Sequence, residues 1–165
     1  MKTLRARFQF LGFIALLFPA GIVSAAELGF ATMEDGDRVE ITYSSEGCFH
    51  NFTNYYEVSR QAGVSVFREY AIKWDQSTPA IILEKKILGE VSLTQDQIDG
   101  FDAYLRFYRG KKEVMSTTQS SMIVEYFEGA NRVGIENLSD PSGEHGLENR
   151  KDVISFYRLA ESFQR

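Results

Sequence analysis

The chain has 165 residues, with 18 lysines and arginines against 23 aspartates and glutamates, a net charge of −5 and a single cysteine. That length fits one domain able to bury a core without covalent staples, and one cysteine allows no disulfide within the chain. The acidic balance repels phosphate backbones and excludes nucleic acid as the expected partner.

At the amino end, Lys2, Arg5 and Arg7 precede an apolar stretch from Phe10 to Val23. The small residues Ser24, Ala25 and Ala26 follow, before Glu27. Basic, apolar and small in that order is the build of a cleaved export signal. Residues 1–25 are therefore predicted to be a signal peptide, with cleavage after Ala25 or Ala26, and residues 26–165 a single α+β domain. A retained anchor wants roughly 18 or more apolar residues; this stretch is shorter and carries Pro19. No cysteine follows the small residues, which argues against a lipoprotein, and no later apolar run reaches spanning length. The signal has a bacterial look, so the expected location is periplasmic or secreted. Three basic residues leave with it, so 15 basic against 23 acidic residues give the mature chain a charge of −8.

The first predicted strand carries Val39, Ile41 and Tyr43 in alternation with Glu40 and Thr42, the period of a half-buried strand. Ser44-Ser45-Glu46-Gly47 reads as a turn, and an aromatic-rich strand follows from Phe49 to Ser59. Gly63 marks a further turn. In the third strand Val64, Val66, Arg68, Tyr70 and Ile72 share a face, with Phe67 and Ala71 on the other. A loop over Asp75–Pro79 leads to a fourth strand, Ala80–Leu88, in which Ile81, Leu83, Lys85 and Ile87 are expected on one side.

A helix comes next. Thr94 and Gln97 have capping-box spacing, and Ile98, Phe101, Leu105 and Tyr108 form one apolar stripe. Asp96 and Asp99 near its start and Arg106 and Arg109 near its end suit the helix dipole. Gly110 suits the stop. A hairpin is predicted from Met122–Phe127 and Arg132–Leu138, then a polar loop over Ser139–Asn149. A closing amphipathic helix carries Val153, Phe156, Tyr157, Ala160 and Phe163 on one face. The fold class is α+β: an antiparallel sheet of about six strands (a four-strand meander, then a hairpin) with two amphipathic helices packed on one face.

Chemistry-bearing residues are few. Cys48 and His50 lie two apart on a strand and so can face the same side. A thiol with His50 or the distant His145 as base, oriented by Asp140, would suit thiol-dependent catalysis. Without further cysteine or histidine spacing they do not make a zinc site, and a small buried cysteine at a strand start beside a partly exposed histidine is the favoured account of them. The loop Asp140-Pro141-Ser142-Gly143-Glu144-His145-Gly146-Leu147-Glu148 is rich in carboxylates but lacks the acidic alternation of a calcium loop. Asp96, Asp99 and Asp102 read as the solvated side of the first helix. No metal or cofactor is expected, and the sequons at Asn51 and Asn137 read as chance.

Aromatics are the richer signal. Phe49, Phe52, Tyr55, Tyr56, Phe67, Tyr70 and Trp74 crowd the second and third strands, and alternation forbids all of them from entering one core. Tyr55, Tyr56, Tyr70 and Trp74 are the candidate binding residues, since surface tyrosine and tryptophan bury much area at little entropic cost. The expected function is a small exported, non-catalytic binding protein of the bacterial envelope. Its partner would be an envelope or extracellular protein or a small molecule. The alternative is a thiol-dependent enzyme using Cys48 with a histidine; a homodimer linked through Cys48 is a third arrangement.

Overall fold

The computed structural model describes residues 28–47, 50–75, 81–110, 119–140 and 150–162. Residues 1–27, over which the signal peptide is predicted, lie outside the described residues, as do Cys48, Phe49, His145 and most of the Asp140–Glu148 loop.

Six strands form one antiparallel sheet: β1 (Arg38–Gly47), β2 (His50–Gln61), β3 (Val64–Asp75), β4 (Ile81–Ser92), β5 (Gln119–Glu128) and β6 (Asn131–Asp140). Two helices, α1 (Gln95–Arg109) and α2 (Phe156–Glu161), complete an α+β architecture. The spatial order is β4-β3-β2-β1-β5-β6, a four-strand meander to which the β5–β6 hairpin adds alongside β1. The chain must therefore travel from one edge of the meander to the other. Four strand spacings are about 19 Å, and the 15 residues of α1 span about 22 Å, enough for the crossing.

The β2–β3 turn places Ala62 and Gly63 at positive φ (49° and 78°), the two-residue geometry that matches strand twist. At the start of α1, Thr94 Oγ1 accepts from the Gln97 amide (3.3 Å), and Gln97 Oε1 accepts from the Thr94 amide (2.9 Å). The expected capping box is thus present.

The inner face of the sheet carries Val39, Ile41, Tyr43, Tyr56, Val58, Phe67, Met122, Val124 and Tyr126, all buried. They share a hydrophobic cluster with Phe101, Tyr104, Leu105 and Tyr108 of α1 and with Phe156 and Ala160 of α2. The Phe101 ring lies 4.7 Å from Phe156, 5.5 Å from Phe67 and 5.6 Å from Phe30. Gly100 has a packing role: a β-carbon there would lie 2.7 Å from Ile154 Cγ1, and Ile154 donates its amide to the Gly100 carbonyl (3.2 Å). The segment entering α2 therefore lies directly on the α1 backbone.

Several elements depart from the sequence reading. Ser44–Gly47 is strand, not turn, because β1 stays paired with β2 to Gly47 and with β5 to Glu46. Ser45 is buried there, and its hydroxyl accepts from Ser120 Oγ (3.4 Å). β4 runs on to Ser92, and register shifts at Glu69/Tyr70 and Lys73/Trp74 alter its alternation. Ile82, Lys85 and Ile87 consequently sit opposite Trp74, Ile72 and Tyr70, rather than Leu83 sharing a face with Lys85. The closing helix is only six residues long; Phe156 and Ala160 are buried, Tyr157 is exposed, and Phe163 lies outside the described residues.

Asp102 is not solvated. Its carboxylate accepts from the amides of Phe30 (2.7 Å) and Ala31 (3.0 Å), pinning a 3-10 turn, Phe30–Thr32, to α1. Arg109 reaches past the helix end and binds Glu136 through Nε (2.7 Å). Its Nη2 donates to the Leu28 carbonyl (3.0 Å) and to the Tyr126 hydroxyl (2.9 Å).

Candidate functional site

The residues that alternate with the core set form the outer face of the sheet. From β2 these are Thr53, Tyr55, Glu57 and Ser59, and from β3 Val66, Arg68, Tyr70, Ile72 and Trp74. Tyr55 lies directly opposite Tyr70, where β2–β3 pairing ends. β3 and β4 stay paired to Asp75 and Ile81, so the hairpin continues as a two-stranded ribbon. Trp74 sits on that ribbon, 41% exposed. Its indole Nε1 donates to the Tyr55 hydroxyl (3.0 Å), with ring centroids 6.1 Å apart.

A charge cluster fixes the other tyrosine. Glu57, with its side chain only 11% exposed, accepts from Arg68 Nη1 (3.1 Å), Tyr70 OH (3.3 Å) and Lys85 Nζ (3.3 Å). Arg68 also donates to Ser59 Oγ (2.7 Å) and to Glu90. Burial works against the Arg68 charge, but its hydrogen bonds to Glu90 and Glu57 outweigh that and raise its pKa. The Tyr70 phenol is pushed up to about 12, by burial first and then by the neighbouring Glu57 charge. It stays neutral and donating at any physiological pH. Lys85 Nζ stands 4.1 Å from the Tyr70 ring centroid, a cation–π arrangement.

The face has little concavity. A recess of about 40 Å³ lies among Glu40, Thr42, Tyr55, Tyr70, Ile72, Lys85 and Glu125, far below the 300 Å³ or so of a ligand pocket. It can take a side-chain tip or a water. A wider groove of about 450 Å³ lies between α1 and the segment before α2. It is open, and Asp96, Asp99, Arg106, Lys151 and Asp152 give it mixed charge.

No protein-family model, curated protein or solved structure matches this chain.

Of the four candidate aromatics, three share the outer face and one does not. Tyr56 is 2% exposed on the inner face, stacked on Phe67 with centroids 5.4 Å apart. Adjacent strand residues point to opposite sides, so Tyr55 and Tyr56 cannot serve one surface. Tyr56 is accordingly corrected to a core residue. The histidine–cysteine candidates are not assembled by the described residues. His50 opens β2 opposite Gly47, Asp140 closes β6 opposite Ser120, and Cys48 and His145 lie outside. Among the described residues, no group of three or more histidine, cysteine, aspartate or glutamate side chains could hold a metal ion. No helix among them is long and apolar enough to cross a membrane.

Glu57, Arg68 and Lys85 were not singled out from sequence. Each lies at an outward position of consecutive strands, and two of them interrupt otherwise apolar faces. Complementary charges in adjacent strands were the available signal.

Proposed function

We propose that the mature chain is an exported, non-catalytic binding protein of the bacterial envelope, which holds a partner protein against the outer face of its sheet. In this reading residues 1–25 are removed on export, and both helices pack on the inner face, leaving the outer one for the partner. The observation that carries it is the set of half-exposed rings Tyr55, Tyr70 and Trp74, held in place by Glu57 and by one another. Rings fixed in this way contribute contact area without the entropic cost of ordering them on binding. The recess at their foot favours a protein surface with one projecting side chain over a small molecule.

The test is capture of extracytoplasmic proteins on immobilised wild-type chain, Trp74→Ala and Tyr55→Ala, with melting temperatures measured alongside. The expected result is a partner retained by the wild type and lost by both variants, with melting shifted by no more than about 4 °C, the equivalent of about 1 kcal/mol. Equal capture by all three would remove this face from consideration. Export is checked separately, by the intact mass of protein recovered from the extracytoplasmic fraction; a mass that includes residues 1–25 would refute cleavage.

A further inference from the structure

The inner face of the sheet carries two polar groups that no described residue satisfies. Glu69 on β3 and Tyr56 on β2 stand directly opposite one another, and they are only 8% and 2% exposed. The Glu69 carboxyl makes no hydrogen bond or ion pair with a described residue, and burial is the sole cause of its raised pKa. Lys73 and Lys86, further along the same face, are exposed and not paired with it. The Tyr56 hydroxyl stands outside hydrogen-bonding geometry with every described residue. Leaving such groups buried is costly, and a structure that keeps both together calls for a reason.

The cover over this face thins just beyond the pair. On β3 the next inner residue, Ala71, is exposed; on β2 Asn54 is half-buried and Phe52 is 36% exposed. Phe52 lies between Tyr43 and Tyr157, 6.1 Å from each ring centroid, and Tyr157 is itself 40% exposed. Asn54, Glu69, Tyr43 and Tyr157 all bear on the ionisation of the Tyr56 phenol, which gathers these groups around its hydroxyl.

A carboxylate only accepts, and a border of aromatic rings favours positive charge, so the spot suits a cation. A metal ion would want several oxygen ligands, and no cluster among the described residues supplies them. An ammonium group on an apolar tail uses what is present. Its N–H groups can donate to Glu69 and to the neutral Tyr56 oxygen, and its tail can lie against half-exposed rings. The net charge of −5 draws cations to the chain as a whole.

We propose that this part of the inner face binds a small organic cation, a protonated primary amine with a short apolar tail. The ammonium sits between the Glu69 carboxylate and the Tyr56 hydroxyl, and the tail lies against Phe52 and Tyr157. The site is on the opposite side of the sheet from Tyr55, Tyr70 and Trp74 and does not depend on the reading of that surface.

The test is amide NMR of the full mature chain, titrated with n-butylammonium to about 50 mM, with n-butanol and butyrate as the neutral and anionic controls. Wild type, Glu69→Gln, Tyr56→Phe and Tyr157→Ala are compared. The expected result is saturable shifts at Asn54, Tyr56, Glu69 and Tyr157 with the amine alone. Binding should weaken at least about tenfold in Glu69→Gln and about three- to fivefold in Tyr56→Phe and Tyr157→Ala. Melting temperatures check folding, and Tyr157 is exposed, so its variant reads the site even where a buried substitution disturbs the fold. Shifts no larger than those with n-butanol or butyrate overturn the inference. So does undiminished binding in a folded Glu69→Gln or in Tyr157→Ala. A footprint confined to Tyr55, Tyr70 and Trp74 would assign the amine to the outer face and overturn it as well.

Discussion

Two buried tyrosines on the inner face lose the same atom on substitution by phenylalanine, yet the expected effects have opposite signs. The Tyr56 hydroxyl is buried and stands outside hydrogen-bonding geometry with every described residue; burial keeps its pKa above the ordinary value, an effect that the nearby Asn54 side chain offsets only in part. The Tyr126 hydroxyl donates to Glu136 Oε1 (2.8 Å) and accepts from Arg109 Nη2 (2.9 Å). A buried polar group left unsatisfied costs about 1–3 kcal/mol, whereas a hydrogen bond to a charged group contributes about 1.5–3 kcal/mol. Tyr56→Phe should therefore leave stability unchanged or raise it by up to about 1 kcal/mol. Tyr126→Phe should lower it by about 1.5–2 kcal/mol, the lower part of that range because Arg109 and Glu136 keep their direct contact (2.7 Å). Equilibrium urea unfolding with linear extrapolation measures both. In melting temperature the difference is about 3–5 °C per kcal/mol for a domain of this size. A Tyr56→Phe variant destabilised by more than about 1 kcal/mol, or a neutral Tyr126→Phe, would refute this account of the inner face.

Glu69 lies on the inner face opposite Tyr56, and burial raises its pKa. A carboxyl whose folded pKa is raised contributes stability that is full below its unfolded pKa and is lost as pH rises through the folded value. Glu69→Gln should thus be more stable than wild type at neutral pH, with the advantage gone below the usual carboxylate range; a pH-independent difference would contradict this. Asp102→Ala removes a charged acceptor from the Phe30 and Ala31 amides and should cost about 1.5–3 kcal/mol in urea unfolding. A neutral result would mean that the Phe30–Thr32 turn is not held to α1.

Most of the local structure was legible because local chemistry dictates it. The capping box at Thr94 and the stripe Ile98–Phe101–Leu105–Tyr108 specify α1 with no knowledge of what it meets. The meander follows from alternation and from Gly63. The misses share a physical cause: each depends on a group far along the chain. Ser44–Gly47 has turn composition and becomes strand because β5 supplies partners, including Ser120. Asp102 looks like a surface carboxylate until the amides of Phe30 and Ala31, some seventy residues earlier, arrive. The Leu83 error came from a register shift, which no period-2 reading contains. The division of Tyr55 from Tyr56 was available in principle, since Val58 and Tyr56 fall in phase with the core and Glu57 and Tyr55 with the polar side.

The outer face joins these threads. A carboxylate as enclosed as Glu57 is costly unless its oxygens are occupied, and breaking one of its pairings would leave charge buried. Arg68, Tyr70 and Lys85 occupy it from two neighbouring strands, so the cluster fastens β2, β3 and β4 together just where β2 stops pairing and the ribbon begins. Lys85, on the edge strand β4, belongs to that fastening. Its charge is directed toward Glu57 and Glu40. The same electrostatic arrangement holds the Tyr70 ring in place on the outer face, where the proposed partner would meet it. Glu57→Gln should therefore weaken retention of the partner proposed for that face, measured in the same capture assay.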